Sequence, residues 1–378
     1  MKENDYMKRL LKVNRKRWLL VLSMLLLAAM LLSACSSSDT PTQQNNETSN
    51  STVDNNEPQA TDNNESENSA QKPKELKEIN IGYMPDMHGA TPLVIAQEKG
   101  YFEEQGLKPN FIKFLNGPQE LQAMASGDLD VGYIGPGAVF LAAQGQAKIL
   151  MPDSLNTGDM VLTSVKTGIK TGADLKGKKV GVPKGTSGEM VLNLLLKKYN
   201  LKPSDVNIIN IDVAGAVAAF TAGKVDAVAI WSPYTAEIEK QLGKENIVAL
   251  ATNKDFMPEY TFPQSWVANP NVLEKDEDLV IRFIKAWNKA NDYRIANLDE
   301  AVKLTADFTQ VPEDSLKVQL DTTEWLKSTD IKAKYEDGSI YSWYENLEKL
   351  FVETGKMTEV VDPKEFVVGD VYLKSLSQ

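Results

Sequence analysis

The residues best placed for chemistry lie in Val180–Met190, VGVPKGTSGEM. Thr186 and Glu189 stand in the T-x-x-E spacing of a capping box, which predicts Thr186 as the N-cap of a helix. The N–H groups of Ser187 and Gly188 would then leave the helix end without intrahelical partners, where the aligned peptide dipoles favour an anion. Four other stretches read as helix starts of the same kind: Thr91-Pro92, Asn116-Gly117-Pro118, Gly135-Pro136 and Ser232-Pro233. The chemistry these residues suit is non-covalent capture of an oxyanion by neutral donors.

Other chemistries are excluded or weakened by composition. The chain has one histidine, His88, and one cysteine, Cys35, so a two-histidine zinc motif and an internal disulfide are both impossible. A histidine-dependent triad would have to use His88. The formal charge of −11 argues against a nucleic-acid partner, which ordinarily meets a basic face. Beyond the basic N-terminus the only arginines are Arg282 and Arg294, both far along the chain, so a guanidinium fork in an anion site is not expected. Gly172–Lys179 nearly matches a phosphate-binding loop, but it lacks the final Ser/Thr and precedes a strand instead of following one. It reads as a surface turn. No cofactor and no metal is expected.

Several side chains could complete an organic-anion site. Trp231 ends a strand beside Ser232-Pro233, where it would meet a ligand or pack between lobes. Tyr83, Met84, Met87 and Tyr133 could form an apolar wall, and His88 could donate a hydrogen bond from the loop that also holds Gly89. Asp86 could pair with a ligand amine. Lys184 reads as a solvated turn residue, and Asp128 and Asp130 as turn carboxylates without a catalytic role.

These residues need elements to position them. Strands are predicted at Lys77–Tyr83, Pro109–Leu115, Asp128–Gly135, Lys148–Met151 and Asp159–Ser164, with helices between the first four. A second series follows with strands at Lys179–Val182, Val206–Ile211, Val225–Trp231 and Ile247–Ala251. Alternating strands and ten-residue helices predict parallel βαβ sheets, and two series predict two α/β lobes, with lobe I at 77–165 and lobe II at 166–261. Residues 262–378 begin with a strand returning to lobe I, FPQSWVAN, and continue as helices at Asp276–Asn297, Leu298–Thr309, Pro312–Trp325 and Ser339–Thr354. In open sheets ligands sit beyond the carboxyl ends of the strands, which is where the helix starts listed above would fall.

Residues 1–34 read as a secretory signal, with a basic n-region and an apolar Trp18–Leu32 too short for an ordinary membrane span. Leu32-Ser33-Ala34-Cys35 resembles a bacterial lipobox, which implies acylation of Cys35. Residues 35–76 are rich in Ser, Thr, Asn, Gln and Glu and predict a disordered tether.

Four stretches, HGATPLVIAQEKGYFEEQGL, ELQAMASGDLDVGYIGPGAVFLAAQG, DLKGKKVGVPKGTSGEMVLNLLL and AVAAFTAGKVDAVAIWSPY, occur in that order. Together they resemble the substrate-binding proteins of ABC importers for aliphatic sulfonates, taurine and nitrate, a group that includes binders of the thiamine-pyrimidine precursor. The resemblance implies a type II periplasmic-binding-protein fold, two α/β lobes closing on a ligand like a clam, with a helical C-terminal region. It implies a ligand-binding set of Met84, His88, Gly89, Asn116, Gly135, Pro136, Thr186, Ser187, Gly188 and Trp231, with no catalytic residue. It also implies a monomeric receptor, held by a lipid anchor on the outer face of a Gram-positive-type membrane, that delivers a small organic anion to an ABC permease. An aliphatic sulfonate or taurine is the first expectation. Nitrate or a thiamine-pyrimidine precursor is the alternative, and a pyrimidine-synthesising enzyme that would have to use His88 is a remote one.

Overall fold

The computed structural model describes residues Leu76 to Ser377, so the expected signal, the Cys35 lipobox and nearly all of the tether lie outside the described residues. No helix among the described residues is long and apolar enough to cross a membrane.

The chain builds the expected α/β fold from two sheets. The first has the order β11-β4-β10-β3-β1-β2 and the second β7-β6-β8-β5-β9. In the first sheet β1 (Lys77–Tyr83) pairs in parallel with β2 (Leu107–Lys113) and β3 (Val131–Ile134), and β10 (Pro263–Ala268) inserts antiparallel between β3 and β4 (Lys148–Asn156). In the second, β6 (Lys179–Val182) pairs in parallel with β7 (Asn207–Asn210) and β8 (Ala227–Ile230), while β5 (Met160–Ser164) runs antiparallel between β8 and β9 (Ile247–Thr252). Every residue of β3, β8 and β10 is buried, as their apolar character requires of strands covered on both faces.

Two sequence expectations are corrected here. β5 belongs to the second sheet, so the chain crosses between sheets at Thr157–Asp159 and not after Val165, where the lobe I boundary was drawn. The alternation of strands and helices locates elements but says nothing of which sheet a strand joins. The helix expected over Pro312–Trp325 ends at Leu320, and Thr323–Trp325 forms β11 on the edge of the first sheet. The Glu324-Trp325 register against β4 is a long-range contact with no local signature. Finally, Ser328–Glu336, Pro270–Lys275 and Gly369–Ser375 are helices that the sequence reading did not single out.

The C-terminal helices cover the first sheet. Phe283 and Trp287 of the long helix Glu277–Ala296 are fully buried and meet Trp266 of β10 at ring-centroid distances of 5.5 and 6.3 Å. A helix-to-sheet seam of this size supplies apolar burial worth about 1.5–3 kcal/mol for each large side chain.

One buried acid shapes the first sheet. Glu120, on the helix Gly117–Ala125, reaches over Gly82 and Gly132, where any Cβ would come within 2.4 and 2.6 Å of its Oε1. Its Oε1 accepts from Tyr133 N–H at 2.6 Å, and burial pushes its carboxyl well above the usual range. The two glycines therefore exist to make room for the carboxyl, which ties the helix to β3 directly below the Tyr133 ring.

Candidate functional site

Between the two sheets lies a cleft enclosing about 410 Å³ of empty space, part of it open to solvent. The first lobe lines it with Met84, Asp86, Asn116, Tyr133, Gly135 and Gln264, and the second with Gly185, Thr186, Ser187, Trp231 and Ser232. Three helix starts open onto it. Asn116 caps Gly117–Ala125 by accepting from Gln119 N–H at 3.0 Å, Gly135 precedes the turn Pro136–Ala138, and Thr186 precedes the helix Ser187–Lys198.

The Thr186 helix start differs from the expected capping box. The Thr186 hydroxyl donates back to Pro183 O at 2.6 Å, and Glu189 accepts from Gly185 N–H at 2.7 Å while pairing with Lys356 Nζ at 2.7 Å. No side chain caps the helix, and Met190 N–H, bonding Thr186 O at 3.2 Å, opens its ladder. The N–H groups of Ser187, Gly188 and Glu189 precede that bond and have no carbonyl within the helix. Local spacing identified the helix start correctly but missed Lys356, 167 positions after Glu189, which draws the acid away from the cap.

The lobes touch closely at this helix. A Cβ on Gly137 would come within 2.0 Å of Thr186 C and 2.3 Å of Ser187 N, so only glycine permits the approach. Gly185, at a φ of +77°, faces the Pro118 ring in the same way at 2.9 Å. Gln319 ties the lobes again by donating to Ser232 O at 2.9 Å and accepting from Met87 N–H at 2.8 Å.

Behind Ser187 lies a carboxylate that the sequence reading passed over as a strand end. Asp159 accepts from the Ser187 hydroxyl at 3.0 Å, from Asn156 at 2.9 Å and from Asn253 at 2.8 Å. Burial outweighs these bonds and pushes its carboxyl up to about 6. Because the folded value is raised, the folded chain binds this proton more tightly than the unfolded chain. The stabilising contribution is complete below about pH 3.8 and is lost as pH rises through about 6. Urea denaturation should show wild type losing stability relative to Asp159→Asn between those values, by an amount on the order of 2–3 kcal/mol. Parallel pH profiles for the two proteins would contradict this.

The other predicted residues fall in two groups. Met84, Asn116, Gly135, Thr186, Ser187 and Trp231 line the cleft. His88, Gly89, Pro136 and Gly188 do not. Gly188 packs its α-carbon on β8, 2.4 Å from Ala229 O to a built Cβ, and Gly89 packs on the Met84 backbone. Thr91 is the first residue of its helix, not the N-cap, and its hydroxyl bonds Thr305 at 2.7 Å. Pro136 opens its turn from a buried position.

His88 is buried behind the cleft wall. Ser154 Oγ gives its one hydrogen to Asp153 at 2.6 Å, so His88 Nδ1, 2.9 Å away, must donate to it. Asp153 also pairs with Arg294 at 3.2 Å, and Arg294 donates to Met87 O at 2.8 Å. This network fixes the loop that presents Met84 and Asp86. Among the described residues no lysine or arginine lines the cleft, and no group of three or more His, Cys, Asp or Glu is arranged for a metal.

Gln264 and Asn156, which carry no site role in the sequence, line the cleft, and so does Ser232 of the expected Ser232-Pro233 helix start. Gln264 accepts from Tyr133 Oη at 2.7 Å, and burial raises that phenol well above its ordinary value. A glutamine in the predicted strand FPQSWVAN was the available signal.

A family model described as NMT1/THI5 like matches residues 88–301. A protein of Brucella abortus described as a binding protein is 38% identical over 78% of this chain and 91% of its own length. A Bacillus subtilis protein described as binding aliphatic sulfonates is 32% identical over 70% of this chain and 80% of its own. Among solved structures, the periplasmic aliphatic sulphonate binding protein SsuA from Escherichia coli superposes with a TM-score of 0.59 at 25% identity, covering 77% of this chain and 92% of that one.

Proposed function

We infer a function from the fact that this chain belongs to the NMT1/THI5 like family. We propose that it is the extracytoplasmic solute receptor of an ABC importer and that its solute is a small organic sulfonate. The relatives' descriptions as binding proteins, two of them for sulfonates, support the receptor reading.

The observation that carries the ligand choice is the helix Ser187–Lys198, which no side chain caps and whose first residue lines a cleft bordered, among the described residues, by no arginine or lysine. A sulfonate spreads one charge over three oxygens and can be held by neutral N–H donors alone. Trp231, Tyr133 and Met84 would enclose the organic part, and lobe closure around Gly137 would create the surface a permease recognises. Affinity near micromolar corresponds to roughly 8 kcal/mol, a scale that a few desolvated hydrogen bonds and one aromatic wall can supply. Acylation at Cys35 would anchor a monomeric receptor to the outer face of the membrane by a flexible tether.

Import by the native cell tests the role. Deleting the gene should abolish growth on a sulfonate as sole sulfur source and leave growth on sulfate intact, with recovery on re-expression. Undiminished sulfonate growth together with lost growth on nitrate or without thiamine would contradict the sulfonate assignment.

A further inference from the structure

We propose that the edge of the second sheet opposite the cleft is a docking face for an anionic bilayer, so that the receptor rests on the membrane through its second lobe. The inference uses the extracytoplasmic placement argued above and is independent of which solute the cleft holds.

β6, β7 and β8 run parallel, and β6 and β8 lead into the cleft residues Gly185 and Trp231. Their starts, with the end of the antiparallel β5, therefore form the far edge. Lysines stand on that edge at four neighbouring strands: Lys202 before β7, Lys176 and Lys179 at the start of β6, Lys224 before β8, and Lys166 and Lys170 after β5. The face is three strand spacings wide, about 14 Å. All six lysines are exposed, and none forms an ion pair among the described residues. The Gly172–Lys179 stretch that imitates a phosphate-binding loop supplies two of them.

The turns that bear these lysines are tied together. Gly177 N–H donates to Asp205 O, Lys179 N–H to Asp226 Oδ2 and the Thr163 hydroxyl to Asp226 O, each at 2.8 Å. The acids of this edge are spent on backbone. Besides Asp226, Asp205 accepts from Lys202 N–H at 2.8 Å, and Asp174 from Lys170 and Thr171 N–H at 3.0 and 2.9 Å. Lys244 and Glu245, before β9, offset each other. The edge is left positive in a chain whose formal charge is −11. Complementing helix dipoles would account for Lys202 and Lys224, which follow the helices Ser187–Lys198 and Val213–Thr221. It does not account for the four on β5 and β6, which no α-helix precedes.

Val165 points to a bilayer in preference to a soluble polyanion. It is 47% exposed beside Lys166 and puts an apolar side chain on the same face, which a headgroup layer accommodates. The chain's overall charge is repelled by such a surface, so this end is the one that can face it. The cleft, at the opposite strand ends, stays clear.

Flotation of the full chain with vesicles of three parts phosphatidylcholine to one part phosphatidylglycerol tests this. The basic stretch Lys8–Arg17 would bind the same vesicles, so the comparison is with a variant carrying Lys176→Gln, Lys179→Gln, Lys202→Gln and Lys224→Gln. The unaltered chain should bind at least about tenfold more tightly than the variant, and the difference should vanish at about 0.5 M salt. Hydrogen exchange of the vesicle-bound chain should show protection over 164–179, 202–206 and 222–226. Equal binding by chain and variant, with no protection there, would overturn the docking face. Binding to soluble polyphosphate as tight as to the vesicles would overturn the bilayer as the partner. Should the variant not fold, the exchange pattern of the unaltered chain decides alone. A chain that takes up no sulfonate by calorimetry yet docks on the vesicles overturns the solute reading and leaves this one standing.

Discussion

Replacing Asp153 with alanine should destabilise the folded body by about 3–5 kcal/mol, the cost of leaving a buried guanidinium without its counter-charge. Both side chains of the Asp153–Arg294 pair are fully buried. Burial works against ionisation of Asp153, but Arg294, His88 and Ser154 together carry its carboxyl below the ordinary value. Stability from this group is thus present above the ordinary carboxylate range and is lost as pH falls through the lowered value. Arg294 is itself pulled down by burial and held up by Asp153, lies 4.3 Å from the Trp325 ring centroid, and anchors Met87 O. Chemical denaturation should show the full loss for Asp153→Ala. Pairing Asp153→Leu with Arg294→Met should lose much less, because no charge is then stranded. Equal losses for the single and double variants would mean that packing, not charge pairing, dominates.

Gly137→Val should weaken ligand binding by roughly hundredfold, on the order of 3 kcal/mol, with a much smaller effect on folding. The obstruction is backbone, since the built Cβ lies 2.0 Å from Thr186 C and 2.2 Å from Thr186 O. Flexible side chains can move aside, whereas a peptide unit at the head of a twelve-residue helix cannot without moving the lobe. The variant should therefore be held apart, with a larger radius of gyration in the presence of ligand. Wild-type affinity with an unchanged scattering profile would show that closure at Gly137 is not needed. Glu189–Lys356 and Gln319–Ser232 span the same junction but end in flexible side chains, so their loss should cost less.

Much of this molecule was legible because local chemistry and tertiary position agree. Gly-Pro and Thr-Ser-Gly at the ends of apolar strands located three helix starts that do meet at one cleft. The illegible parts depend on long-range contact. Glu189 looks like half of a capping box until Lys356 takes it away. His88 looks like a loop donor until Asp153, Ser154 and Arg294 draw it behind the wall. Asn156 and Asp159 carry no motif, and they matter because the chain crosses between sheets there. β11 is three residues whose only reason to be extended is the exposed edge of β4. Asp86, a candidate amine partner by sequence, does line the cleft.

The cleft headed by Ser187 should capture an organic sulfonate by neutral N–H donors, since the Thr186 and Ser187 hydroxyls already donate to Pro183 O and Asp159. Isothermal calorimetry of the purified chain against taurine, ethanesulfonate, nitrate and an aminopyrimidine tests it most directly. One-to-one binding of a sulfonate near micromolar affinity is expected, sharply weakened in Gly137→Val. Heat from nitrate or the aminopyrimidine with none from either sulfonate would contradict it.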